Sequence, residues 1–124
     1  MDFDITSSLD GDVLIVFLTG RSTRDNAHAM TERYFDIVLG SGMKKVLVDI
    51  RLLQGRLSTT ETYRLVRDLP VKPIPGDIKT AILEAEENAD YARFLETTSA
   101  NAGVRFMCFS DRKEALSWLH TLSR

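Results

Sequence analysis

The sequence has little of what marks the specialised classes of protein. A single cysteine, Cys108, rules out an intramolecular disulfide. It sits in an apolar strand-like run and reads as a small buried hydrophobe. No run of about 18 apolar residues is present, so no segment reads as a membrane-spanning helix. The acidic start MDFDITSS lacks the apolar core of a signal peptide. The chain is therefore read as cytoplasmic, without membrane insertion. Neither sign of charge dominates: 16 Lys and Arg stand against 18 Asp and Glu. Nucleic-acid readers need a basic patch or stripe, so nucleic acid is not an expected partner. The two histidines, His28 and His120, lie apart from each other and from Cys108. There is no G-x-S-x-G elbow and no phosphate-cradling G-x-x-x-x-G-K-[ST] loop. The residues thus offer no catalytic set, no metal site and no cofactor motif, and the chain reads as a non-enzyme.

What remains is ordinary globular composition, 44% hydrophobic and 27% charged over 124 residues. That length can bury one sizeable core without staples, and residues 1–124 read as one domain. The organising stretch is Lys44 to Leu69. It opens on an apolar run, Val46 to Ile50, broken only by Asp49. It crosses a polar loop holding Arg51, Gln54, Gly55 and Arg56. It ends in Ser58-Thr59-Thr60-Glu61, where Ser58 and Glu61 have the spacing of a capping box: the hydroxyl accepts from the Glu61 amide and the carboxylate reaches back. A buried strand, a surface loop and a capped helix follow one another. In α/β sheets ligands bind outside the carboxyl ends of strands, so this loop is the first candidate site.

The rest of the chain alternates. Phe3 to Leu9 reads as an edge strand, with Phe3, Ile5, Ser7 and Leu9 on one side. Asp10-Gly11 reads as a hairpin turn. Asp12 to Thr19 is apolar on both sides, as interior strands are. Ser22 or Thr23 is placed to cap the next helix, with Asp25 in its first turn. Ala27, Met30, Tyr34, Ile37 and Val38 form the stripe of that helix, which Gly40-Ser41-Gly42 ends. His28 reads as solvated. The second helix presents Thr62, Leu65, Val66 and Leu69 inward. All three prolines fall between Pro70 and Pro75 and, with Gly76, form a stiff surface loop. Ile78 to Ala85 is a third interior strand. Helix three runs from about Glu87 to Asn101, with Tyr91, Ala92, Leu95, Thr98 and Ala102 inward, and Gly103 stops it. Glu84, Glu86, Glu87 and Asp90 crowd its start, where acids answer the helix dipole rather than hold a metal. Val104 to Phe109 is the last strand. Ser110 or Asp111 caps the last helix, which buries Ala115, Leu116, Leu119 and Leu122 with Trp118 on its flank.

The order is ββαβαβαβα. It predicts an α/β fold with a mixed, mostly parallel five-stranded sheet and four helices. Helices joining sequential strands gather on one face. The interior strands are apolar on both sides, so a displaced helix, a ligand or a second subunit must cover the other face. A homodimer is one such answer.

This layout resembles the STAS-domain family, in particular its SpoIIAA-like branch, which is similar in fold to CRAL-TRIO lipid-binding domains. The residues that carry the likeness are Gly11-Asp12-Val13-Leu14, Leu18-Thr19-Gly20, and Val46-Leu47-Val48-Asp49-Ile50-Arg51 with Gly55 beyond. Phe109, Asp111, Glu114-Ala115-Leu116 and Trp118-Leu119 complete it. The resemblance implies a regulatory protein-interaction module of anti-sigma-factor-antagonist type, its partner a kinase or an anti-sigma-like regulator. In that family a serine at the start of the second helix is phosphorylated. Ser58 falls at or near that position, and Leu57 and Thr60 depart from the motif. Ser58 has a sufficient role as a cap, and Ser58 and Thr59 are the candidate phosphorylation positions. The candidate partner- or ligand-binding residues are Asp49, Arg51, Gln54, Gly55, Arg56 and Arg64. The alternative function is binding of a small apolar or amphipathic ligand such as a lipid.

Overall fold

A computed structural model describes residues 3–67, 77–101 and 106–121. The expectations for Leu69, the loop Pro70 to Gly76, Ala102 to Arg105 and Leu122 lie outside the described residues, as does the side chain of Val66.

The chain begins with an antiparallel hairpin. Strand β1 (Phe3–Asp10) pairs with β2 (Val13–Arg21) from Phe3↔Gly20 to Asp10↔Val13. The turn is Gly11-Asp12, one residue later than expected. Only Gly11 needs positive φ, at 61°. On β1, Phe3 and Ile5 are buried, while Ser7 and Leu9 of the same side are exposed.

Helix α1 (Ala27–Ser41) starts later than the sequence predicts, and Asp25 precedes it. Thr23 and Asn26 bond each other instead. The Thr23 amide donates to Asn26 Oδ1 at 2.9 Å, and the Asn26 amide to Thr23 Oγ1 at 3.2 Å. These local bonds close a turn before the helix proper, the usual competition between short polar side chains and helical backbone. The core face of α1 is Ala27, Met30, Tyr34, Phe35 and Val38. Ile37, expected on that stripe, is only partly buried. Gly42 ends the helix with φ 70°.

Then follow β3 (Lys45–Asp49), β4 (Leu53–Gln54), α2 (Thr59–Arg67), β5 (Lys79–Leu83), α3 (Ala89–Asn101), β6 (Phe106–Phe109) and α4 (Arg112–Leu119). A 3-10 turn, Glu86–Asn88, leads into α3. The strand order is β1-β2-β3-β5-β6, with β1 antiparallel and the other pairs parallel. Val46 to Asp49 is therefore central, as the sequence predicts.

The sheet has six strands rather than five. The extra one, β4, continues the line of β3 along β2. Phe17 pairs with Asp49, and Gly20 with Leu53. Two residues of β2, Leu18 and Thr19, thus face three of the neighbouring chain: Ile50, Arg51 and Leu52. One extra residue on one strand is a bulge, and bulges re-aim side chains. This one buries Ile50 and exposes Arg51 and Leu52.

Both sheet faces are covered by the chain's own helices. One core joins Leu14, Val16, Val46, Val48 and Ile82 to Met30, Tyr34, Phe35 and Val38 of α1, with Tyr91 and Leu95 of α3 packed against it. The other joins Val13, Leu47, Ala81 and Leu83 to Ala115 and Leu119 of α4. Trp118 packs on the flank, its ring 5.7 Å from that of Phe109. Helix α4 is the displaced helix that the doubly apolar strands require. The uncovered face that favoured a homodimer is thus closed over its centre.

Candidate functional site

The loop from Asp49 to Ser58 lies beyond the carboxyl end of β3, and two ion pairs fix it. Asp49, 5% exposed, takes three bonds from its second neighbour: the Arg51 amide at 3.1 Å, Nε at 3.1 Å and Nη2 at 2.9 Å. This tether leaves the Arg51 side chain 42% exposed, and its guanidinium is held above the ordinary arginine pKa by the Asp49 carboxylate.

The second pair is deeper. Arg56 donates through Nε and Nη2 to Glu84 Oε2 and Oε1 at 2.8 and 2.7 Å. Its Nη1 donates to the carbonyls of Leu53 and Gly55 at 2.6 and 2.7 Å, and its Nη2 also to that of Ile50 at 3.0 Å. Five bonds match the five N–H groups of a guanidinium. The ring of Tyr91 lies against the cation, 5.8 Å from its centroid. Glu84 Oε1 accepts in addition from the Ala85 amide at 2.8 Å. Arg56 therefore clamps the bulged loop onto the end of β5.

Gly55 is required where it stands. Its φ is 78°, and a Cβ there would meet the Ser22 carbonyl at 2.8 Å. The close approach arises because the Ser22 amide donates to the neighbouring Gln54 carbonyl at 2.8 Å.

The capping box at α2 is formed. The Glu61 amide donates to Ser58 Oγ at 3.2 Å, and the Ser58 amide to Glu61 Oε1 at 3.0 Å. The bond from the Ser58 amide is the main reason the Glu61 carboxyl sits below its usual pKa. Ser58 and Thr59 are exposed on the rim of a cleft of 360 Å³ between the starts of α2 and α3. Glu87 and Asp90 stand on its other wall. A phosphate on Ser58 would thus meet Glu61, while Arg56, two residues earlier, is engaged by Glu84.

Of the residues singled out from sequence, Arg51, Gln54, Gly55, Ser58, Thr59 and Arg64 are exposed, whereas Asp49 is buried and Arg56 largely so. Sequence reasoning missed Glu84 as the partner of Arg56. A usable signal existed: Glu84 directly follows an apolar strand, much as Asp49 closes one. It also missed Leu52 and Tyr63, 64% and 54% exposed beside the loop and on α2. Among the described residues no group of three metal-capable side chains occurs, and no helix is long and apolar enough to cross a membrane. Cys108 is partly buried, and burial pushes its thiol up to about 12.

A different feature lies on the α1 face. A cavity of 140 Å³ opens between α1, α2, α3 and the sheet, walled by side chains such as Met30, Phe35, Ile82 and Leu95.

The hairpin, the parallel sheet, the clamped loop beyond β3 and α4 on the second face together define a SpoIIAA-like α/β fold. Over 96% of the chain the structure is similar to an anti-sigma factor antagonist from Mycobacterium paratuberculosis, covering 95% of that chain with a TM-score of 0.64 and 11% identity. It is also similar to an uncharacterised protein with a SpoIIAA-like fold from Shewanella loihica PV-4, with a TM-score of 0.54 and 19% identity over 94% of this chain and 93% of that one. At these identities the likeness is one of fold. No family model matches the sequence, and no curated protein matches it.

Proposed function

We propose that this chain is a non-enzymatic STAS-type regulatory module. It docks a protein partner, a kinase or an anti-sigma-like regulator, through the loop Arg51 to Gly55 and the exposed side of α2. One observation carries the reading: Arg56 is fully engaged inside the protein, so the loop is fixed from below while Arg51, Leu52 and Gln54 face outward. A preorganised loop loses little freedom on binding. Exposed Arg51 and Tyr63 are of the residue types that anchor interfaces. The fold neighbour that is an anti-sigma factor antagonist points the same way. Phosphorylation at Ser58 would replace the capping hydroxyl and set its charge between the Glu61 carboxylate and Arg24, which lies 3.9 Å from that carboxylate.

A photo-crosslinking residue placed at Leu52, at Tyr63 or at Leu9 tests this. Leu9 is 66% exposed and lies at the hairpin end of the sheet. The proposal expects one and the same protein adduct from positions 52 and 63, absent from position 9 and weakened by Arg51→Glu. Equal adducts from all three positions, or none from 52 and 63, would overturn it.

A further inference from the structure

We propose that the cavity on the α1 face is a binding site for a small neutral apolar molecule, about the size of one aromatic ring. The inference stands apart from the docking surface, since none of its argument uses the loop beyond β3. Its first support is volume. The pocket measures 140 Å³, several times the space one water molecule needs. An apolar cavity of similar size in another protein accepts benzene.

The second support is the wall. No charged side chain lines it among the described residues. The polar side-chain atoms belong to Ser22, Thr31, Tyr34 and Tyr91. The Thr31 hydroxyl already donates to the Ala27 carbonyl at 2.8 Å. The other lining side chains are apolar, so the wall offers an ordered water few partners. A carboxylate or phosphate would find no cation among the described lining residues and would lose its hydration. This wall favours a neutral apolar guest. The third support is access: the cavity is open on one side, so a guest can enter without unfolding the core.

The sheet supplies an internal control. Met30, Val48, Ile82 and Leu95 line the cavity, while Val13, Leu47 and Leu119 belong to the core on the opposite face. Benzene is titrated into methyl-labelled protein and followed by NMR. The proposal expects saturable shifts at the first set and none at the second. Absence of saturable shifts, or equal shifts on both faces, overturns it. Ala27→Leu places a larger side chain on the cavity wall and should weaken benzene binding at least tenfold, with an unchanged or higher unfolding midpoint. If that variant does not fold, Val48→Ile makes the smaller change, with a weaker loss expected. Unchanged affinity in whichever folded variant is measured overturns the assignment. The titration needs no protein partner, so its failure would leave the docking surface untouched.

Discussion

Arg56 and Glu84 lie 28 positions apart in sequence and meet in a two-pronged ion pair at 2.7 and 2.8 Å. Their side chains are 11% and 2% exposed. A buried carboxylate is expensive unless paired and hydrogen-bonded, and the match here is complete on the arginine side. The pair fixes the path of the loop between β3 and α2, and with it the loop part of the proposed docking surface.

Removing one partner should therefore be far worse than removing both. Arg56→Met strands a buried carboxylate and three loop carbonyls, and the expected loss is about 3–5 kcal/mol of unfolding free energy. The double variant Arg56→Met with Glu84→Leu should recover a large share, but not all, because the carbonyls of Ile50, Leu53 and Gly55 remain without their donor. Urea denaturation of the two single variants and the double variant measures this. Additive losses would show that the two side chains act independently.

Ser58 should behave as a helix cap first. Its hydroxyl accepts the Glu61 amide at 3.2 Å, so Ser58→Ala should lower stability by about 0.5–2 kcal/mol. Ser58→Asp should be nearly neutral. The chain itself shows why: in α4 Asp111 caps and accepts from the Glu114 amide at 3.2 Å, the same acid–x–x–Glu spacing. Thermal unfolding compares the three proteins. A loss in Ser58→Asp as large as in Ser58→Ala would mean that the negative charge near Glu61 outweighs the cap.

The alternation of apolar runs with capped helices made the fold legible, because period and caps are local properties. Both capping positions read from spacing, Ser58 and Asp111, are occupied as expected. The start of α1 was misread because Thr23 has a better partner in Asn26 than in a helix beginning at once. The sixth strand was invisible: two residues carry no periodicity, and the bulge that creates β4 depends on β2 being longer than β3. The candidate site was legible as a segment, not as chemistry. Arg56 reads as a surface cation in its own polar loop, and only the parallel pairing of β3 with β5 brings Glu84 to it.

The last prediction concerns pH and His120, which follows α4 and reaches the hairpin turn. Its Nδ1 lies 2.9 Å from the Leu116 carbonyl, and its Nε2 lies 2.9 Å from Asp12 Oδ1. Both partners only accept, whereas a neutral imidazole has a single N–H. The arrangement is satisfied only by the imidazolium, chiefly through the Asp12 hydrogen bond, and the His120 pKa is raised above 6.5. The bonds of Lys45 and His120 hold Asp12 down at about 2. A raised folded-state pKa gives stability that is fully present below the unfolded value and lost as pH rises through the folded value. Asp12 contributes with the opposite sign, its share vanishing only as pH falls through about 2. Lys45, bonded to Asp12 at 2.6 Å, stays charged across the histidine window, so its pair adds no slope there. The melting temperature of wild type relative to His120→Gln should therefore fall as pH rises from about 6 to about 8. An NMR titration should place the His120 midpoint above 6.5, and Asp12→Asn should lower it. A midpoint at or below the ordinary value, unmoved by Asp12→Asn, would mean that α4 is not tied to the hairpin by a charged histidine.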